Sequence, residues 1–253
     1  MCIRDRSFTS FSEAHPPQEV VSRLNEYLGA MVHVIEQHDG TVDKFIGDGI
    51  MAYWGAPLTQ ADHAKLAIDC LRAINERMEE LRAKWLKKGV EPFTIRGGIQ
   101  SGEVVAGNIG LSGKKMEYTV IGDTVNQAAR LESTAKYYGV TYLVGEETYE
   151  RTRGMCRYRE LDRIRVVGKQ FPVTIYEPLD GLSILDLPTA DRFGTALALY
   201  RTREWEKAQT AFMDVLDVAA EDKPSKIYLE RCGYFMQNPP AADWDGVFNR
   251  AEK

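Results

Sequence analysis

Apolar residues recur three and four apart after two prolines at 16 and 17. They are Val20, Val21, Leu24, Tyr27, Leu28, Met31, Val32 and Ile35, and Gly40 closes the run. This spacing predicts a helix with proline in its first turn. The period changes in "TVDKFIGDGIMAYWG", where two short β-prone runs flank Gly47-Asp48-Gly49 in the manner of a hairpin. A second helix is predicted over 62–88 from Ala67, Cys70, Leu71, Ile74, Met78, Leu81 and Trp85, with Gly89 as its stop. "FTIRGGIQ" and "EVVAGNIG" read as two strands around a tight turn. "MEYTVIG" reads as a further strand that runs through Gly122-Asp123 into a helix ending at Gly139. "TYLVG", a short helix near 146–152 and strands near 157–167 and 172–177 complete this region.

The alternation predicts an α+β sandwich, with helices on one face of a largely antiparallel sheet. A ferredoxin-like βαββαβ order requires one more strand before the first helix. Only about four residues are free for it ahead of "SFTSFSE", against the ~5–6 of an ordinary strand, so the first strand reads as missing. The pattern changes again after about 180. A linker assigned to 181–190 lies largely within "PLDGLSILDLPT" and precedes a helix pair marked by Leu197, Tyr200, Trp205, Ala208, Phe212 and Val215, then a third helix near 224–236. This region, 191–253, resembles one tetratricopeptide unit. A single unit cannot bury its own apolar face, so it is expected to pack on the first domain.

Composition narrows the function classes. The chain has 253 residues, 44% hydrophobic and 27% charged, an ordinary globular make-up. A net charge of -5 argues against a domain built to grip nucleic acid or an anionic membrane. Cys2, Cys70, Cys156 and Cys232 are far apart, which fits neither a disulfide framework nor a zinc site. No run approaches the ~20 apolar residues of a membrane span, and no signal-peptide pattern is present.

Taken by residue type alone, the candidate chemistry stays open. Asp48, flanked by glycines, suits a hard cation such as Mg²⁺, and equally an ordinary turn aspartate. Lys44 on an apolar strand is either a ligand-reading amine or an edge lysine. Thr119 is either a donor–acceptor hydroxyl or a β-branched strand filler. Asn126 and Arg130 are four apart, hence on one helix face, with Val125, Ala128 and Ala129 available to the core. Backbone amides in "SFTSF", feeding a helix, suit an anion.

Four segments occur in order: "SFTSFSE", "VDKFIGDGIMAYWGAP", "GGIQSGEVVAGNIG" and "MEYTVIGDTVNQAARLES". Together they closely resemble the class III adenylyl/guanylyl cyclase catalytic domain over roughly residues 7–178. The resemblance implies that ATP is the substrate and that two Mg²⁺ or Mn²⁺ ions act per site, with Asp48 as one of two metal aspartates. It implies that Lys44 and Thr119 read the purine in the manner of the bacterial adenylyl type. Phe8 and Thr9 would hold the triphosphate, and Asn126 and Arg130 would orient the ribose and stabilise the transition state. It implies a homodimer with shared sites and a cytoplasmic catalytic domain, often with a sensory or membrane region upstream. The 3′-oxygen of the ribose would attack the α-phosphorus and release pyrophosphate.

Three positions depart from the family pattern. The first metal aspartate falls at Arg4. Asp5 lies one residue late, a shift of ~3.3 Å and a change of strand face, which argues against it as a metal ligand. The triphosphate lysine falls at Val167, with Lys169 two residues on as a weak substitute. The arginine that some members carry after "SG" is Glu103. Residues 1–6, "MCIRDR", resemble a non-native lead, with the catalytic domain spanning 7–180. The alternatives are a degenerate domain that binds nucleotide or dimerises without turnover, a guanylyl cyclase, and an interaction module run by the C-terminal helices.

Overall fold

Helix α1 (Pro17–Gln37) begins at the prolines and buries Tyr27, Met31, Val34 and Ile35, while Val21 is exposed. The structure, a computed structural model, describes residues 1–5, 11–13, 15–165 and 172–248, with Asp5 described by its backbone alone. Helix α2 (His63–Lys87) buries all seven apolar positions that its spacing marks. The other elements of the catalytic region are β1 (Cys2–Asp5), β2 (Thr41–Ile46), β3 (Gly49–Tyr53), β4 (Ile95–Ile99), β5 (Val105–Leu111), β6 (Lys115–Ile121), α3 (Asp123–Tyr138), β7 (Tyr142–Gly145), α4 (Glu146–Thr152), β8 (Tyr158–Ile164) and β9 (Val173–Pro178).

Seven strands form one sheet in the order β2-β3-β1-β4-β7-β9-β8. The first strand, expected to be missing, is therefore present and interior. β1 pairs antiparallel with β3 (Cys2↔Met51, Ile3↔Ile50) and with β4 (Cys2↔Gly98 to Asp5↔Ile95). Flanking ladders on both sides supply the hydrogen bonds that a short charged segment could not gain alone. Ile3, fully buried, joins the α1/α2 core. The Met1 amine donates to the Ala52 carbonyl at 2.9 Å.

The sheet is covered on both faces rather than one. Residues alternate across each strand: Ile95, Ile99, Tyr142 and Val144 face the α1/α2 core. Leu143 packs with Leu131, Ala135 and Tyr138 of α3 on the other side. Gly98 permits this second layer. A Cβ there would lie 2.2 Å from the Ala128 carbonyl oxygen of α3, so the helix rests directly on the β4 backbone. The turn expected between "FTIRGGIQ" and "EVVAGNIG" is also absent. The chain instead leaves the main sheet after β4, and β5 pairs with β6 as a separate two-stranded arm.

Three further helices follow: α5 (Leu187–Arg201), α6 (Trp205–Val218) and α7 (Lys223–Gln237). They bury a core of their own, including Phe193, Tyr200, Phe212 and Tyr228, and also dock on the catalytic region. Ile227 joins the α3 cluster, and the Tyr228 hydroxyl donates to the Leu161 carbonyl at 3.0 Å. Two buried ion pairs cross the junction. Arg231 Nη1 donates to Asp162 Oδ2 at 2.6 Å, and Arg159 Nη1 donates to Asp222 Oδ1 at 2.9 Å. The Tyr138 hydroxyl at the end of α3 donates to the same Asp162 oxygen and accepts from Arg231 Nη2.

Removing one member of a buried pair strands the other charge. Arg231→Met is therefore expected to cost about 3 kcal/mol or more in urea unfolding. Arg77→Ala, which breaks an exposed pair with Glu80, is expected to cost under about 1 kcal/mol. Similar small losses for both would remove the junction network from the account of stability. A second expectation concerns pH. Burial pushes the Met1 amine down from 8.0 to about 6. In a chain that starts at Met1, the unfolded state then holds a proton between pH 6 and 8 that the folded state has shed. Stability should rise across that window by about 2–3 kcal/mol and stay flat when the amine is acetylated. A flat profile for the free amine would contradict this.

Candidate active site

Strand β2 departs from a regular ladder where the candidate base-reading residues sit. Its register shifts between Val42 and Lys44, so that Val42 faces Ala52 and Lys44 faces Met51. Asp43 is the extra residue of a bulge, a device that re-aims side chains. In a regular strand, Asp43 and Lys44 would point to opposite faces. Here both reach β6. Thr119 Oγ1 donates to Asp43 Oδ2 at 2.9 Å, and Lys44 Nζ lies 3.9 Å from Glu117 Oε2 and 3.5 Å from Asp43 Oδ2. Glu117 and Thr119 are two apart on β6 and share a face.

This cluster has a buried end and an exposed end. The Asp43 side chain is 1% exposed and that of Lys44 is 40% exposed; Thr119 is buried. Asp43 Oδ1 is buried with no hydrogen-bond partner among the described residues. Burial pushes the Tyr53 hydroxyl above its ordinary pKa, and the nearby Asp43 carboxylate adds to the shift. A hydrogen bond from Lys115 holds Glu117 below the usual carboxylate range, with a smaller contribution from Lys44. The sequence marks Lys44 and Thr119 as candidates, and the structure places Asp43, which the sequence did not mark, between them. Its only sequence signal is a second consecutive charge in an otherwise apolar strand.

Asp48 sits at the β2–β3 turn, where Gly47 adopts a left-handed φ of 63°. It is half-buried, close enough to Cys2 for its charge to raise that thiol's pKa as a minor contributor behind burial. A Cβ on the neighbouring Gly49 would lie 3.4 Å from Arg4 Nε. Arg4 thus stands beside the hairpin tip, at the expected position of the first metal aspartate. Its Nε is buried and has no partner among the described residues. Arg96 lies opposite Arg4 on β4 and pairs with Glu132 of α3 at 3.1 Å, and Arg96 Nη1 is likewise buried without a partner.

These residues do not fit a pair of divalent cations. Asp48 offers one carboxylate, and a guanidinium with an unpaired buried nitrogen repels a cation where the second carboxylate is expected. Among the described residues, no group of three or more His, Cys, Asp or Glu residues could hold a metal ion. Asp5 pairs through its backbone with Ile95. Phe8, Thr9, Val167 and Lys169 lie outside the described residues.

Helix α3 presents Asn126 and Arg130 one turn apart, both exposed. Ala128 is buried and Val125 half-buried as expected, but Ala129 is exposed. Asn126 lines a largely apolar cavity of about 400 Å³ with Cys2, Met51, Tyr53 and Ser101. Arg130 lines a neighbouring one of about 300 Å³ with Gln100, Gly145 and Glu146. Glu103 is exposed, and its carbonyl accepts from Thr124 Oγ1 at 2.9 Å. Among the described residues, no hydrogen bond or ion pair joins Asp48 to Lys44, Thr119 or Asn126. The three candidate groups therefore occupy three places: a hairpin tip, a bulged strand against the arm, and a helix face.

Comparison with known proteins adds to this geometry. The family model described as "Adenylate and Guanylate cyclase catalytic domain" matches residues 5–177. "Adenylate cyclase 1" of Rhizobium meliloti is 36% identical over 67% of this chain and 25% of its own length. "Adenylate cyclase" of Anabaena cylindrica is 35% identical over 68% of this chain and 34% of its own length. The chain thus spans about a third or less of these curated relatives. Among solved structures, the adenylyl cyclase CyaB from P. aeruginosa superposes with a TM-score of 0.66 at 34% identity, covering 71% of this chain and 91% of that one. The guanylyl cyclase Cya2 superposes at 0.65 and 34%, covering 73% and 94%. With more than half of its length matched in sequence and the same fold in space, this chain belongs to the class III adenylyl/guanylyl cyclase catalytic domain family.

Proposed function

We propose that this nucleotidyl cyclase domain is an adenylyl cyclase that forms 3′,5′-cyclic AMP and pyrophosphate from ATP in a homodimer. The observation that carries the adenine reading is the Lys44–Thr119 pair, held against Asp43 and Glu117 on adjoining strands. A lysine ammonium only donates, which suits the unprotonated N1 of adenine and opposes the N–H of guanine at that position. Arg130 is a permanent cation whose fork matches phosphate oxygens. Asn126, one turn away, would hold the ribose. In the reaction, the 3′-oxygen forms a bond to the α-phosphorus, the bond from that phosphorus to the β-phosphate oxygen breaks, and the 3′ proton is released.

A shared site follows from the separation of the three groups and from exposed apolar surface. Phe45, Ile46, Val105, Met116, Tyr118 and Ile121 are each at least 41% exposed along β2 and the arm. A two-stranded arm is marginal alone, and a patch of this kind marks a contact with another protein. A second copy would cover it and bring Asp48 of one chain towards Lys44, Asn126 and Arg130 of the other.

Divalent metals are typical of the family, but with Arg4 in place the residues of this chain do not fit two of them. Arg4 favours a second reading, in which the chain as it stands binds nucleotide or dimerises without turnover. The similarity to Cya2 keeps GTP as the competing substrate. The test is cyclic nucleotide formation from ATP and from GTP, with Mg²⁺ or Mn²⁺, by the unsubstituted chain and by Arg4→Asp. Arg4→Asp is expected to make cyclic AMP about 10²-fold faster. Robust turnover by the unsubstituted chain would contradict the role given to Arg4. Turnover of GTP equal to that of ATP would contradict the adenylyl reading, and no product from either variant would favour the non-catalytic one.

A further inference from the structure

We infer that Asp43 is the residue that sets purine specificity, by fixing the direction of the Thr119 hydroxyl proton. This rests on the reading of Lys44 and Thr119 as base-contacting residues and adds to it a residue that touches no substrate. A threonine hydroxyl has one proton and two lone pairs, so a free Thr119 could donate to guanine O6 as readily as it accepts from adenine N6. An ionised carboxylate has only acceptors. Thr119 Oγ1 lies 2.9 Å from Asp43 Oδ2, so its proton is committed to Asp43. What the Thr119 oxygen then has left to offer a base is a pure acceptor. It matches the exocyclic amine of adenine and meets the carbonyl of guanine with like partial charge.

Three features of the structure are accounted for in this way. The bulge at Val42/Lys44 exists where consecutive residues must both face β6: without it Asp43 would turn away from Thr119. The Asp43 side chain is 1% exposed, so water does not compete for the proton. Among the described residues Asp43 Oδ1 is buried with no partner, which makes the carboxylate costly to the fold and unsuited to a purely structural role. Lys44 at 3.5 Å compensates the charge. Asp43 is thus a positioning residue. Lys44 and Thr119 face the base, and Asp43 decides which way Thr119 can bond.

The test is the ratio of GTP to ATP dissociation constants, measured by displacing a fluorescent ATP analogue from the full chain, which requires no turnover. Asp43→Leu keeps the bulk but removes both acceptors, freeing the hydroxyl proton for guanine, and Asp43→Asn does the same where its NH2 turns towards Thr119. The preference for ATP should fall about tenfold, largely through tighter GTP binding. Thr119→Val should lose the same preference, and in that background Asp43→Leu should change nothing further. Thr119→Ser should keep the preference, as a control that the arm tolerates substitution. If wild type prefers ATP and Asp43→Leu retains the full preference, the proposal is wrong while the base reading stands. If wild type does not discriminate, the base reading itself fails and Asp43 falls with it.

Discussion

Strand β1 is the element on which the catalytic half depends. It is an interior strand of the main sheet, with β3 on one side and β4 on the other. Ile3 reaches into the α1/α2 core, while Cys2 lines the cavity below α3. Without this strand, β3 and β4 would present unpaired inner edges, and the two helical layers would lose the backbone that separates them. The same strand carries Arg4 to the tip of the β2–β3 hairpin. One short segment thus both closes the sheet and decides what chemistry Asp48 can take part in.

From β1 the site is built outwards by close backbone approach. Gly98 lets α3 lie on β4, and this puts Asn126 and Arg130 on a helix anchored at its far end by Tyr138, Asp162 and Arg231. The C-terminal helices therefore do more than shield an apolar face. They hold the end of the helix that carries two of the proposed functional side chains. The β5–β6 arm is the opposite case: it projects with exposed apolar residues and touches the main sheet near the bulge of β2. A helix anchored at one end and an arm with exposed apolar residues are what the proposal of a site shared between two copies rests on.

The amphipathic helices were legible because burial repeats at helical spacing, and the seven marked positions of α2 are all buried. The family was legible because four motifs stand in order along the chain. β1 was not legible, since a short charged strand has no pattern of its own and is created by its neighbours' ladders. The second helical layer was hidden because nothing local says on which face a helix will rest; Gly98 was the available signal. Asp43 escaped for a different reason. Its partner Thr119 is 76 residues away, and the two meet only through a one-residue irregularity in β2. The Arg231–Asp162 pair, 69 residues apart, is invisible in the same way.

The central claim is that one active site draws on two copies of this chain. The most direct measurement mixes two inactive variants, each also carrying Arg4→Asp: one with Lys44→Ala, the other with Asp48→Ala. If the metal-side and base-side residues come from different copies, half of the sites in a mixed dimer contain neither lesion. Mixing should then restore cyclic AMP formation to a substantial fraction of the Arg4→Asp rate. Mixed samples that form dimers yet remain as inactive as either variant alone would contradict the account.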